Sequence, residues 1–207
     1  MDLADVRDRA IARLSAAGVV TPEADTDLLI GSVLDLSRDE VQAKAIAGIS
    51  LTGGQVDDLS RMLDRRAARE PLQHITGVAY FRSLSLAVGP GVFVPRPETE
   101  QVAQYAIDTL RAVPSESPIA VDLGTGSGAI AFALATEIPN SRVYAIELSP
   151  DAFEWTTRNR ERTGATNTAL ALGDLASAFP ELDGTVDVVI SNPPYIPTEA
   201  VPRDLEV

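Results

Sequence analysis

Two short stretches of the chain hold residue types that could do chemistry. The first is "VVISNPPYIP", residues 188–197. Val188, Val189 and Ile190 suit a central strand buried on both faces. Asn192 is then followed by Pro193 and Pro194, which can donate nothing to a sheet ladder, and by Tyr195. An amide or exocyclic amine nitrogen is a poor nucleophile, because its lone pair is delocalised into a π system. Acceptors that hold both of its N–H groups can turn that lone pair out of the plane and aim it. Asn192 Oδ1 and the Pro193 carbonyl are two such acceptors, and proline stiffens their geometry. Tyr195 can pack against a planar amide or base.

The second stretch is "VDLGTGSGAIA", residues 121–131. Gly124, Gly126 and Gly128 let the backbone pass close to a ligand, and the helix that follows adds exposed amides. Glu147 ends the next strand, in "YAIELS", where a carboxylate can accept from both hydroxyls of a ribose. Loop and carboxylate together point to a nucleoside site. With Ala129 the loop also satisfies G-x-G-x-x-G/A, so a nicotinamide enzyme fits this stretch taken alone.

Other features have plainer readings. "TGGQ" at 52–55 has capping-box spacing between Thr52 and Gln55. His74, the single histidine, lies in "PLQHITG" with no ligand cluster around it and reads as structural. Arg65, Arg66 and Arg69 read as a solvated helix face, and Trp155 as a packing residue.

Composition narrows the class. The 207 residues are 45% hydrophobic, enough for one substantial core and a smaller second one. The net charge is −13, and most of it falls in residues 98–207, with 17 acidic against 6 basic side chains. That opposes loose binding to nucleic acid. Without cysteine there is no disulfide or thiolate metal site, and no metal ligand is expected. The start "MDLADVRDRA" is charged, and no apolar run approaches the roughly 20 residues of a membrane helix. The expectation is a cytoplasmic, monomeric protein that makes no membrane contact.

The elements that must position these residues follow from periodicity. Leu3, Val6, Ala10 and Leu14 recur at helical steps before Gly18. Thr21–Pro22 opens a second helix, Ser37 and Glu40 cap a third, and Thr52 starts a fourth that stops before Pro71. "VAYFRSLSLAVGPGVFVPRP" then reads as a hairpin or extended linker with turn residues at Gly89, Pro90 and Gly91. A helix follows Pro97. From residue 119 strands and helices alternate, which argues for a parallel sheet covered by helices.

At this point the chain resembles the PrmC/HemK family, the release-factor glutamine methyltransferases. "EPLQHITGVAYFRSLSLAVGPGVFVPRPETE" resembles the family's linker, "VDLGTGSGAIAFALA" its cofactor loop and "ISNPPYI" its substrate motif. The resemblance implies a Rossmann-like α/β methyltransferase domain preceded by a small helical bundle. Its divisions would be a helical substrate-recognition domain at 1–73, a β-hairpin linker at 74–97 and a methyltransferase domain at 98–207. It implies S-adenosylmethionine as cofactor and S-adenosylhomocysteine as product, held by Asp122, Gly124, Thr125, Gly126, Ser127, Gly128, Glu147, Asp174, Leu175 and Asn192. It also implies that Asn192, Pro193, Pro194 and Tyr195 hold the substrate, with Asn192, Pro193 and Tyr195 serving catalysis. The substrate would be the glutamine of the GGQ loop in peptide chain release factors, methylated on its side-chain nitrogen to modulate termination.

Two departures stand out. Leu175 stands where many members place an aromatic residue, and the family's final strands would lie beyond Val207. Two other readings share these residues. A nucleic-acid adenine or cytosine amino-methyltransferase faces the same lone-pair problem, but the acidic second half and the lack of a basic or aromatic platform oppose it. A truncated, non-catalytic paralogue that binds a partner would keep the helical domain alone in use.

Overall fold

The computed structural model describes residues 1–193, which divide into two compact units, 1–76 and 77–193. The first is helical: α1 (Leu3–Ala16), α2 (Pro22–Leu34), α3 (Arg38–Ile46), α4 (Gly53–Ala67) and α5 (Leu72–Thr76). Leu3, Val6, Ala10 and Leu14 are the buried face of α1 and meet Leu29, Ile30, Val41, Leu59 and Leu63 in one core. Ser37 and Thr52 each form a complete capping box, with Glu40 and Gln55. The "TGGQ" stretch is therefore a helix start. Thr21 stands at the N-cap position of α2, but its hydroxyl donates to Asp25 instead of accepting a cap bond.

Two carboxylates are buried in this unit. Asp25 accepts from Arg66 Nε at 2.7 Å, so Arg66 is a buried ion-pair partner and no part of a solvated face. Arg65 pairs with Glu70, and Arg69 donates to the Gly18 carbonyl. Asp27 is fully buried and accepts from Arg7 and Gln42, with Arg38 at 3.5 Å. Desolvation pushes the Asp27 carboxyl up, but the bonds from Arg7 and Gln42 outweigh it and hold the group below the ordinary aspartate range.

The second unit opens with a hairpin, β1 (Val78–Phe81) and β2 (Leu84–Ala87), paired antiparallel. Its turn is at Arg82–Ser83 and not at Gly89–Gly91 as the sequence suggests. Arg82 takes the left-handed conformation (φ 51°) because its surroundings fix it: its N–H donates to Glu100 and its guanidinium to Glu137 and Gln104. Gly89 serves a close approach instead, since a Cβ there would lie 2.5 Å from the Trp155 ring. Trp155 also donates to the Pro90 carbonyl.

Then come α6 (Thr99–Ala112), β3 (Ile119–Leu123), α7 (Ala129–Glu137), β4 (Arg142–Glu147), α8 (Pro150–Thr163), β5 (Thr168–Leu172) and β6 (Val188–Ser191). The last four strands named pair in parallel in the order β5-β4-β3-β6. The chain leaves β3 for β4 on one side and returns as β6 on the other, which makes a switch point at the carboxyl end of β3. Among the described residues β6 pairs with β3; Ile190 is buried in the core of the second unit and Val189 is exposed. α7 reads apolar all round and is buried almost all round, packed against α6, α8 and the sheet.

Replacing Asp27 with asparagine leaves Arg7 and Gln42 facing a neutral group. Asp27→Asn is expected to lower stability by about 2–3 kcal/mol at pH 7. Because the folded carboxyl titrates below its unfolded value, that gap should be present above pH ~4 and shrink as pH falls further. Denaturant melts of both proteins from pH 3 to 7 measure it, and a pH-independent gap would contradict the ionised pairing.

Candidate active site

The candidate site is built at the carboxyl ends of β3, β4 and β6. Beyond β3 the loop 124–128 turns over β4, with the N–H groups of Gly124 and Thr125 both donating to the Ile146 carbonyl. Gly124 and Gly126 have φ of 75° and 59°, and Gly128 caps α7 at φ 82°. At Gly126 nothing lies within 4 Å of where a Cβ would stand, so that peptide borders open space.

The loop's polar groups are fixed from below. Asp122 Oδ2 accepts from Thr125 Oγ1 at 2.6 Å and from the Ala131 N–H at 3.2 Å, while its buried Oδ1 has no partner among the described residues. Burial pushes this carboxyl up to about 6 against those two bonds, and the nearby Glu147 charge adds to the rise. Thr125 and Ser127 are buried side chains, so what the loop offers a ligand there is backbone.

Glu147, at the end of β4, accepts from the Gly126 N–H with Oε2 (2.8 Å) and from the Ser149 N–H with Oε1 (2.9 Å). Two backbone donors set the carboxylate's plane, and each oxygen keeps a lone pair for a further donor. Exposed Leu148 follows Glu147, and exposed Leu175 follows the end of neighbouring β5. Asp174 caps the 3₁₀ turn at 175–177 by accepting from Ala176 N–H. An open glycine cradle, a fixed carboxylate with free lone pairs and two exposed leucines suit a nucleoside carrying a flexible tail, so the residues fit S-adenosylmethionine.

The β3–β6 pairing brings the second stretch to the first. Leu123 stands opposite Ser191, whose hydroxyl donates to the Leu123 carbonyl at 2.7 Å. One residue further on each strand, Gly124 and Asn192 follow, and a Cβ on Gly124 would lie 3.9 Å from Pro193 Cβ. Asn192 Nδ2 donates to Thr99 Oγ1 at 2.8 Å. Pro194 and Tyr195 lie outside the described residues.

Sequence reasoning missed four participants. Thr156 donates to the Gly126 carbonyl at 2.6 Å. Asn159, fully buried, donates to the carbonyls of Ser127 and Ala87 and accepts from Ala87 N–H at 2.6 Å, joining loop to hairpin. Their signal was present: Ala152, Thr156 and Asn159 are the buried face of α8, so polar residues occupy an apolar stripe. Exposed Leu148 next to Glu147 was a weaker signal. Thr99 gave none, since its partner is 93 residues away.

With this geometry the sequence was compared with known proteins. Residues 5–77 match the PrmC N-terminal domain, and residues 115–203 match a methyltransferase domain. A release factor glutamine methyltransferase of Bifidobacterium longum is 45% identical, over 100% of this chain and 74% of that protein. The chain belongs to the release factor glutamine methyltransferase family. The family's Streptomyces coelicolor member is 52% identical over 91% of this chain, which spans 64% of that relative's length. A 4-amino-L-phenylalanine/4-methylamino-L-phenylalanine methyltransferase of Streptomyces pristinaespiralis is 39% identical over 94% of this chain and 65% of its own.

Asp122 supplies a pH test. Folded, it keeps its proton up to about pH 6; unfolded, it loses it near pH 4. Wild-type stability relative to Asp122→Asn should therefore be highest below pH ~4, fall as pH rises to 6 and level off above, by up to about 3 kcal/mol. Parallel stability profiles for the two proteins between pH 4 and 7.5 would show that burial does not hold the proton.

Proposed function

We propose that this protein transfers a methyl group from S-adenosylmethionine to the side-chain nitrogen of the GGQ glutamine in peptide chain release factors. The observation that carries the reading is the meeting of the glycine loop with Asn192–Pro193, Gly124 against Pro193, at one switch point. The kinship with release factor glutamine methyltransferases supports the choice of substrate. In this reading the helical domain 1–73 recognises the partner, 74–97 links, and 98–207 carries the chemistry. The protein would act as a cytoplasmic monomer with no stable hold on nucleic acid, in keeping with its acidic second half.

In this reading Glu147 takes the ribose hydroxyls, the backbone at 124–128 lines the amino-acid end, and Leu148 and Leu175 flank the base. Bound there, the cofactor supplies an electrophilic methyl on a positively charged sulfur. Asn192 Oδ1 and the Pro193 carbonyl accept the two N–H groups of the glutamine amide, drawing its lone pair out of conjugation and towards the methyl. Nitrogen then gains the methyl as the sulfur–methyl bond breaks, the electron pair staying on sulfur in S-adenosylhomocysteine, and one proton passes from nitrogen to water, so no strong base is needed beforehand. Rate comes from orientation and from acceptors set before the reaction.

The direct test is transfer of labelled methyl to a purified release factor, with a GGQ-to-GGA substrate variant, 4-amino-L-phenylalanine and duplex DNA as parallel substrates. Label is expected in the release factor and absent from its GGA variant. Label in the arylamine or the DNA alone would overturn the reading. Asn192→Ala should lower kcat by about 10²–10³-fold with little change in cofactor affinity. Glu147→Ala should weaken cofactor binding by about 1.5–3 kcal/mol in calorimetry. Unchanged affinity would move the ribose elsewhere.

A further inference from the structure

We propose that Thr99 is a positioning residue for methyl transfer, which fixes the end of the Asn192 side-chain amide that faces the substrate. This rests on the reading of Asn192 as the clamp for the substrate nitrogen. The two ends of an asparagine amide are nearly identical in shape and opposite in hydrogen-bonding sense. A half-turn of the group exchanges an acceptor for a donor. Asn192 is exposed, so packing does not prevent that turn. Its side chain makes one hydrogen bond among the described residues, from Nδ2 to Thr99 Oγ1 at 2.8 Å. With the nitrogen end tied, Oδ1 is the end left to accept.

The anchor is rigid. Thr99 is buried at the first position of α6, and its own N–H donates to the Arg96 carbonyl. Behind it Ala103, Ala106, Ile107 and Leu110 are buried in the core of the second unit. The hydroxyl's place is thus set by a packed helix, while Asn192 leaves the end of β6. A threonine hydroxyl can also donate, so a turned amide could keep a bond to Thr99. It would then aim Nδ2 at a substrate nitrogen that has only N–H groups to offer, and that arrangement cannot hold the substrate. The arrangement found in the structure is the productive one. It also gives the buried Thr99 hydroxyl a hydrogen-bond partner.

The experiment is steady-state methyl transfer to release factor by Thr99→Val, Thr99→Ser, Asn192→Ala and the Thr99→Val/Asn192→Ala double variant, with cofactor Kd and Tm measured for each. Valine keeps the volume and removes the acceptor, so kcat should fall by about 10–50-fold, with cofactor Kd within about twofold of wild type. Serine restores the hydroxyl and should return kcat to within about threefold. In the double variant the valine should add less than about twofold, because the group it positions is gone. A merely structural Thr99 would lower Tm and cost as much beside Asn192→Ala as alone, which overturns the proposal. Near-wild-type kcat in Thr99→Val, with Asn192→Ala impaired, overturns it while leaving the clamp intact. Full activity of Asn192→Ala overturns the clamp, and this proposal falls with it.

Discussion

The candidate site depends on the register of one parallel strand pair. Leu123 faces Ser191 across β3 and β6, and the Ser191 hydroxyl bonded to the Leu123 carbonyl marks the last rung of that ladder. Both strands leave the sheet one residue later, so Gly124 and Asn192 start their loops at the same height. A slip of two residues would carry Asn192 roughly 7 Å along the strand, away from the glycine loop. A slip of one would turn Ile190 out of the core and Val189 into it. The apolar packing of Ile190 beneath α6 and the position of Asn192 above the sheet are therefore set by the same alignment.

A second constraint acts on the loop that faces this strand end. One pair closes inside the loop, from the Gly128 N–H to the Thr125 carbonyl. Other amides and carbonyls of the loop pair with β4, Glu147 and the polar stripe of α8. Asn159 is the most economical of these links. Its side chain imitates a peptide unit, pairing with both backbone groups of Ala87 while its second N–H reaches Ser127. A fully satisfied buried amide specifies one arrangement more sharply than an apolar residue of the same size. The hairpin and the loop are consequently held by a single side chain.

Much of this architecture was legible in the sequence, for reasons that differ from element to element. The α1 stripe, the two capping boxes and the alternation after residue 119 are local signals, written within a few residues of where they act. The glycine loop and Glu147 were legible because backbone conformation and charge announce themselves in residue type. What stayed hidden was long-range. The turn at Arg82 is imposed by Glu100, Glu137 and Gln104, whereas glycine and proline at 89–91 are the stronger local turn signals. Buried Arg66 looked like its exposed neighbours because its partner, Asp25, is 41 positions away. Thr99 and Asn159 are matched to partners 93 and 72 residues distant.

The capping box at Thr52 has a consequence for selectivity. This chain carries the tripeptide Gly53-Gly54-Gln55, the same letters as the stretch it is proposed to modify. In α4 those letters are wound into a first turn, and the Gln55 side-chain oxygen is engaged by the N–H and hydroxyl of Thr52. Presenting this glutamine to any clamp would mean releasing that oxygen and fraying the helix start, at a cost of about 1 kcal/mol before any contact is made. That alone disfavours this glutamine by about fivefold against the same letters held in an open loop.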